Sequence, residues 1–281
     1  MRDAVGSLDL SSPSVGATPA GSDRPSFEGQ ALPHLDALYR FALRLCRART
    51  DAQDLVQETM LKALKAWDRF EPGSNVRAWL MTILHNQFAS GYRQVRHAGR
   101  RLGLDDPEVQ RAEALIATAD PEAWVLSRDV DGRVIGAIDA LPSHYRAPLV
   151  LSDAEGLAYA DVARVLGIPV GTVKSRLFRA RRLVRARLHD YAAAAGYLRP
   201  ESKVAAEAGR CRAARVLLLD FLKGELAQRV AVRIRNHLAV CCACRACSEF
   251  ERDYLAMVES ALRRQRCPDD LRRDILRVIT G

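Results

Sequence analysis

Several things are missing from this 281-residue chain, and each absence narrows what it can be. No apolar stretch approaches the roughly 20 residues that a membrane-spanning helix needs. The aliphatic run Val216–Leu219 ends after four residues. The first thirty residues, MRDAVGSLDLSSPSVGATPAGSDRPSFEGQ, contain no hydrophobic signal core; rich in Gly, Ser and Pro, they read as a disordered tail over 1–30. The expected location is therefore cytoplasmic, with no membrane partner. Val, Ile, Thr and aromatic residues never alternate with polar ones for long enough to make a strand, and no internal repeat is visible, so the expected fold class is all-α. There is no Ser/His/Asp set, no phosphate-cradling glycine loop and no paired catalytic carboxylate, which argues against an enzyme. His85, His97 and His144 read as local polar or DNA-facing residues.

Acidic residues are missing where basic ones gather. From Thr172 to Arg187 the chain holds seven basic residues and no acid. A short apolar-periodic helix, Tyr159 to Leu166, precedes this stretch, followed by the turn Gly167-Ile168-Pro169-Val170-Gly171. Gly167 stands at a helix C-cap position, Pro169 cannot continue the first helix, and Thr172 can cap the second. Helix, tight turn and basic helix make a helix-turn-helix whose second helix fits a DNA major groove. Its early residues, Lys174, Ser175 and Arg176, are expected at base edges, and its later arginines at phosphates. The net charge of +9 agrees with a polyanionic partner.

The segment Leu32 to Val95 carries three more helical patterns. Leu35, Leu38, Ala42 and Leu45 recur at helical spacing. Asp51 can then cap a helix with Leu55, Val56, Thr59, Leu61, Ala63 and Leu64 on its apolar side and Asp54, Gln57, Glu58 and Lys62 on its polar side. After Glu71-Pro72-Gly73-Ser74 a third helix starts near Asn75 and presents Val76, Trp79, Leu80, Ile83 and Leu84. Its continuation adds Arg93, Arg96, Arg100 and Arg101 without an acid, and His97 to Asp106 reads as a polar break. Aromatic and basic side chains on one helix suit melted DNA, where bases stack on rings and phosphates meet arginines; core packing is an equal reading for Trp79.

Asp51 to Phe88 resembles region 2, and Ala140 to Leu188 resembles region 4, of the extracytoplasmic-function (ECF) sigma factors of bacterial RNA polymerase. DLVQET upstream of RAWL, followed by the helix-turn-helix, carries the likeness. The resemblance implies two helical sigma domains, 31–97 (region 2) and 122–190 (region 4), joined by a linker at 98–121. It implies a transcription initiation factor that binds RNA polymerase core through Asp54, Gln57 and Glu58. Arg77, Asn86, Arg93 and the loop Phe70 to Ser74 are then expected at the −10 element, and Lys174, Ser175, Arg176, Arg179 and Arg182 at the −35 element of promoter DNA. The large N-terminal region and central domain of housekeeping sigma factors are absent.

Cysteine is nearly absent until late: Cys46 is alone in the first 210 residues, and six more follow from Cys211 to Cys267. A linker-like stretch at 191–208 sets off a third segment, 209–281. On one continuous helix, His237, Cys241 and Cys244 would share a narrow face at about 100° per residue. With Cys211 arriving from another helix they make a tetrahedral Cys3His site for Zn2+. The setting resembles the zinc-associated anti-sigma domain, in which the corresponding Cys, His and CxxC bind the metal. That implies control in cis through an intramolecular contact between this domain and the sigma regions. A linker of this length reaches on the order of 20–25 Å as a coil, and tethering raises the effective concentration toward the millimolar range. Cys242, Cys247 and Cys267 exceed the pattern and leave open additional or softer metal binding, or disulfide pairing. The segment is also net basic, so two alternatives stay open: a sigma factor whose C-terminal domain is a positive metal sensor, and a plain DNA-binding regulator with a structural zinc site.

Overall fold

The computed structural model describes residues 26–46, 48–101, 130–194 and 209–280; within these spans the side chains of 92–101, 130, 189–194, 209, 210 and 280 are not described. Every regular element among the described residues is helical. Of the linker expectations, 102–121 and 195–208 lie outside the described residues, as does the tail up to residue 25.

Helix α1 (Phe27–Ala31) is capped by Ser26, whose Oγ accepts the Gly29 N–H at 3.1 Å. Helix α2 (Leu35–Leu45) buries Leu35, Leu38, Phe41 and Ala42. Helix α3 (Arg49–Lys65) starts three residues earlier than the sequence suggests. Ala48 occupies the N-cap, so Asp51 lies inside the first turn, where its charge complements the helix dipole. Helix α4 (Val76–Arg101) is capped by Asn75, whose Oδ1 accepts the Ala78 N–H at 3.1 Å. It runs straight through His97, so the polar break expected there begins no earlier than residue 102. Trp79 packs rather than projecting for a base: Phe27, Trp67, Phe70 and Trp79 form an aromatic cluster, with the Trp67 and Phe70 rings stacked at 4.8 Å.

Helices α5 (Val130–Asp139) and α6 (Ser143–Leu149) lead into a π-helical turn, Val150–Ala154. Helix α7 (Tyr159–Leu166) ends at Gly167 in the left-handed region (φ 64), and the Ile168 N–H closes back on the Ala163 carbonyl at 3.1 Å. Helix α8 (Val170–Ala194) begins before Thr172: the Pro169 carbonyl already accepts the Thr172 and Val173 N–H groups. Pro169, not Thr172, therefore precedes the first turn, its fixed φ leading the chain into the helix. Four helices follow: α9 (Gly209–Leu222), α10 (Gln228–Val240), α11 (Cys242–Arg263) and α12 (Asp269–Thr280).

One apolar core runs through α1 to α8 and takes in Tyr254, Val258, Ala261 and Leu262 of α11 together with Leu271 and Ile275 of α12. Buried ion pairs cross it. Arg40 on α2 grips Glu155 with bonds of 2.7 and 2.9 Å, and Arg44 grips Asp139 of α5 at 2.5 and 2.6 Å. A second, small core contains Ala214, Leu218, Ile234 and Cys244.

Candidate functional site

Three sites deserve description: the exposed face of α8, the polar faces of α3 and α4, and the thiol cluster. On α8, Val173, Leu177, Ala180, Val184 and Leu188 are buried. This apolar stripe turns the opposite side to solvent, where Lys174, Ser175, Arg179 and Arg182 are exposed and Arg176 is half-buried on the flank. Ser175 Oγ donates to the Thr172 carbonyl at 3.0 Å, Arg179 Nη1 donates to Tyr145 Oη at 3.3 Å, and Lys174 Nζ sits 5.9 Å from the Tyr159 ring centroid. Phe178 stands 58% exposed among them, a residue the sequence reading passed over. Its signal was legible: a phenylalanine one place out of the buried stripe.

The later arginines divide. Arg181 is buried, not at a phosphate: Nε and Nη2 bond Asp153 at 2.8 and 2.7 Å, and Nη1 reaches Tyr159 Oη at 3.2 Å. Burial alone would raise the Asp153 carboxyl, but Arg181, with Lys223 beside it, holds it below the usual carboxylate range. Arg185 pairs with Glu251 of α11 and lies 4.8 Å from the Tyr254 ring centroid.

On α3, Asp54 and Glu58 are exposed, Gln57 is half-buried, and Leu61 lies partly open on the same side. Gln87 Nε2 of α4 donates to Glu58 at 3.1 Å, which orients that carboxylate. On α4, Arg77 is half-buried and Asn86 exposed, while the side chain of Arg93 falls outside the described residues. In the loop before α4, Glu71 to Ser74 are exposed but Phe70 is buried in the aromatic cluster. Asn75 Nδ2 donates to Asp161 of α7 at 3.0 Å, so the end of this loop meets the first helix of the helix-turn-helix.

The thiol cluster gathers the residues read from sequence by a different route. His237 lies in the last turn of α10, Cys241 is extended (φ −104, ψ 103), and Cys244 lies in the first turn of α11. The three donors thus come from two helices and the break between them, not from one helical stripe. Cys211 comes from α9. One donor atom from each of Cys211, His237, Cys241 and Cys244 lies within 4.8 Å of all the others. A tetrahedral zinc with bonds of about 2.0–2.3 Å asks for donors roughly 3.3–3.8 Å apart, and Cys211 and Cys241 Sγ are already 3.9 Å apart. His237 Nε2 is buried with no hydrogen-bond partner, as a metal-facing nitrogen would be. Backbone N–H groups at the start of α11, that of Cys244 foremost, turn toward Cys241 Sγ and lower its pKa, whereas burial pushes Cys244 up to about 12. Donor set, spacing and orphaned nitrogen fit zinc. Cys242 is exposed outside the cluster, Cys247 packs at the edge of the small core, and Cys267 is buried in the large one.

The C-terminal segment also touches the helix-turn-helix directly. Glu225 accepts the Tyr159 N–H at 2.7 Å, so it caps α7 from outside; Asp220 accepts Tyr159 Oη at 2.9 Å; Lys223 Nζ donates to the Ser152 carbonyl at 2.8 Å. No helix among the described residues is long and apolar enough to cross a membrane.

These surfaces belong to a helical DNA-binding protein with a helix-turn-helix. Two family profiles match the chain: Sigma-70 region 2 over residues 32–98 and Sigma-70, region 4 over residues 131–184. The ECF RNA polymerase sigma factor EcfG of Rhodopseudomonas palustris (strain TIE-1) is 38% identical over 58% of this chain and 86% of its own length. The ECF RNA polymerase sigma factor SigE of Mycolicibacterium smegmatis is 34% identical over 57% of this chain and 61% of its own. Among solved structures, the sigma factor RpoE of Bartonella quintana, crystallised in complex with the anti-sigma factor NepR, is 35% identical and matches 58% of this chain and 96% of that one, with a TM-score of 0.43. The chain belongs to the ECF sigma factors, which direct transcription initiation and are not enzymes.

Proposed function

We propose that this sigma factor is controlled in cis by its own C-terminal segment, with Cys211, His237, Cys241 and Cys244 as zinc ligands. In this reading Asp54, Gln57 and Glu58 dock on RNA polymerase core. Arg77, Asn86, Arg93 and the Glu71–Ser74 turn serve the −10 element; Lys174, Ser175, Arg176, Arg179 and Arg182 serve the −35 element, with Phe178 placed to meet a thymine methyl. The observation that carries the regulatory part is the continuous core joining regions 2 and 4. Promoter elements centred near −10 and −35 lie about 85 Å apart at roughly 3.4 Å per base pair, whereas Asn75 of region 2 and Asp161 of region 4 are 3.0 Å apart. The closed arrangement cannot span both elements, so opening precedes initiation.

A bound zinc would tie α9, α10 and the start of α11 together. The chain's own residues do the rest: Asp220, Lys223 and Glu225 hold the helix-turn-helix and Glu251 occupies Arg185. Asp54 and Glu58 stay exposed, so in this reading control acts through closure and leaves those two carboxylates open.

The deciding experiment is transcription in vitro with core polymerase. Gln57→Ala with Glu58→Ala should abolish core binding while leaving the circular dichroism of the helices unchanged; wild-type affinity in that variant would sink the docking assignment. Cys211→Ser or His237→Ala should lose most of the zinc and transcribe more than wild type. Lower activity in both would make the domain a positive, metal-sensing accessory.

A further inference from the structure

The C-terminal helices serve two cores. The first part of α11 carries Cys244 into the small core, and its last part carries Tyr254, Val258, Ala261 and Leu262 into the large one. A helix of its 22 residues is about 33 Å long, so its two ends act at different places. Beyond α11 the chain does not return to the thiol cluster. It crosses the line where α2 of region 2 meets α5 of region 4. Arg264 Nη1 reaches Asp131 of α5 at 2.5 Å, and Gln265 Oε1 accepts from Arg44 of α2 at 2.9 Å. Farther on, the Cys267 N–H and Arg272 Nη2 both donate to Asp36 Oδ1 of α2, at 3.0 and 2.8 Å. Beneath these bonds Cys267, Leu271 and Ile275 are buried in the large core, and α12 lies along α3.

We propose that Arg264 to Ile275 form a strap that holds regions 2 and 4 closed, and that this strap works independently of the zinc ligands. The proposal rests on reading the closed form as the silent one. Its anchors are apolar burial and carboxylate bonds to α2 and α5, neither of which needs a metal, and none of its partners belongs to the small core. Arg264 is 70% exposed and Arg272 37% exposed, so their ion pairs add little in water. Leu271 and Ile275 therefore hold the strap down, and the polar bonds set where it lies. Loss of metal frees the grip of Asp220, Lys223 and Glu225 on the helix-turn-helix and lets regions 2 and 4 part some of the time, while the strap still favours the closed form.

The test uses the full chain. Three samples are compared by small-angle X-ray scattering, zinc content and transcription with core polymerase: wild type stripped by a chelator, Leu271→Asp with Ile275→Asp, and the polar triple variant Arg264→Ala, Gln265→Ala, Arg272→Ala. The double variant should keep its zinc, show a larger radius of gyration and transcribe several-fold more than wild type. The triple variant should shift the same way by less. Stripped wild type should lose its zinc, expand less than the double variant and gain less transcription than it. The strap is overturned if stripping expands wild type as much as the double variant. It is equally overturned if both strap variants, with helix content intact, stay compact. Should the double variant lose helix content, the triple variant decides alone. Expansion without any transcription would keep the strap and defeat the reading of the closed form as the silent one.

Discussion

The large core and the small core of this protein are held by different physics. In the large one, apolar side chains from α1 to α8 and from the end of the chain close on one another. Tyr39, Phe41, Tyr159, Leu80 and Leu149 are among its fully buried members. The small one buries only Ala214, Leu218, Ile234 and Cys244. Two aliphatic side chains contribute about 3–6 kcal/mol together, too little to order three helix ends. Units of around 40 residues or fewer usually need metal, disulfide or partner to stand. The proposed zinc would therefore decide the structure of the small core and not that of the large one.

The largest expected effect breaks the two apart. Ligation of structural zinc is worth on the order of 10–16 kcal/mol in small domains. Chelation should therefore collapse protection from hydrogen exchange in α9, α10 and the first turns of α11, while amides around Leu38, Leu84 and Leu151 keep theirs. A uniform loss across α2 to α8 would show that the cores are one unit.

Next comes the pair Asp153–Arg181, which is buried on both sides. Asp153→Ala leaves Arg181 charged and unpaired in the interior, a loss of about 3–5 kcal/mol readable as a lower urea midpoint. Asp153→Leu combined with Arg181→Met should cost much less than either single change. If the double change costs the sum of the singles, the two side chains are not coupled.

Part of this was legible from sequence and part was not. Gly167 and Pro169 announced the helix-turn-helix because Gly167 takes the left-handed conformation that ends a helix and Pro169 can begin a helix but not continue one. The four residues of the Cys/His cluster were readable as a set, but not their geometry. An uninterrupted helix puts His237, Cys241 and Cys244 on one stripe; the extended backbone at Cys241, between α10 and α11, breaks that stripe and left no mark in the spacing. Arg181 was misread as a phosphate contact, although it stands in the Leu177–Val184–Leu188 stripe where an apolar residue is expected. That intrusion was the available signal for a buried partner. Glu155, Asp139, Glu225 and Glu251 gave no signal at all. Their partners lie 66 to 115 residues away, and local charge pattern carries no information at that range.

Arg181 and its neighbour Arg182 offer a smaller, sharper contrast. One is buried in an ion pair and the other is exposed on the side proposed to face DNA. Arg182→Ala should weaken promoter binding and reduce the slope of log K against log salt by about 0.9, the value for one phosphate contact. Its urea midpoint should not move. Arg176→Ala, if that residue reads a base, should cost about 1–3 kcal/mol of discrimination at the −35 element with little change in slope. A uniform loss across sequences for Arg176 would make it a phosphate contact too.

The gentlest probe is pH, because the buried carboxyls of the large core have opposite signs. Burial raises Asp139 above the usual carboxylate range despite Arg44 and Arg146, and raises Glu251 despite Arg185. Each binds its proton more tightly folded than unfolded, so each adds stability as pH falls from 7 through its raised pKa. Asp153, held low by Arg181, behaves the other way: its contribution is complete above the unfolded value near 3.9 and is lost as pH falls through the folded one. His34 and His85 are lowered, chiefly by burial. The unfolded chain therefore takes up protons first below about pH 6.5, which removes stability on acidification. Because these signs overlap, the informative quantity is a difference. Relative to wild type, Asp139→Asn with Glu251→Gln lacks only the rising component. The urea midpoint of wild type should therefore gain on that of the variant as pH falls from 7 toward the unfolded carboxylate values near 4, while both fall steeply below that as Asp153 protonates. A constant gap all the way from pH 7 to about pH 4 would mean that Asp139 and Glu251 titrate as they do in the unfolded chain, and that the pairs joining α2 to α5 and α8 to α11 are open to water.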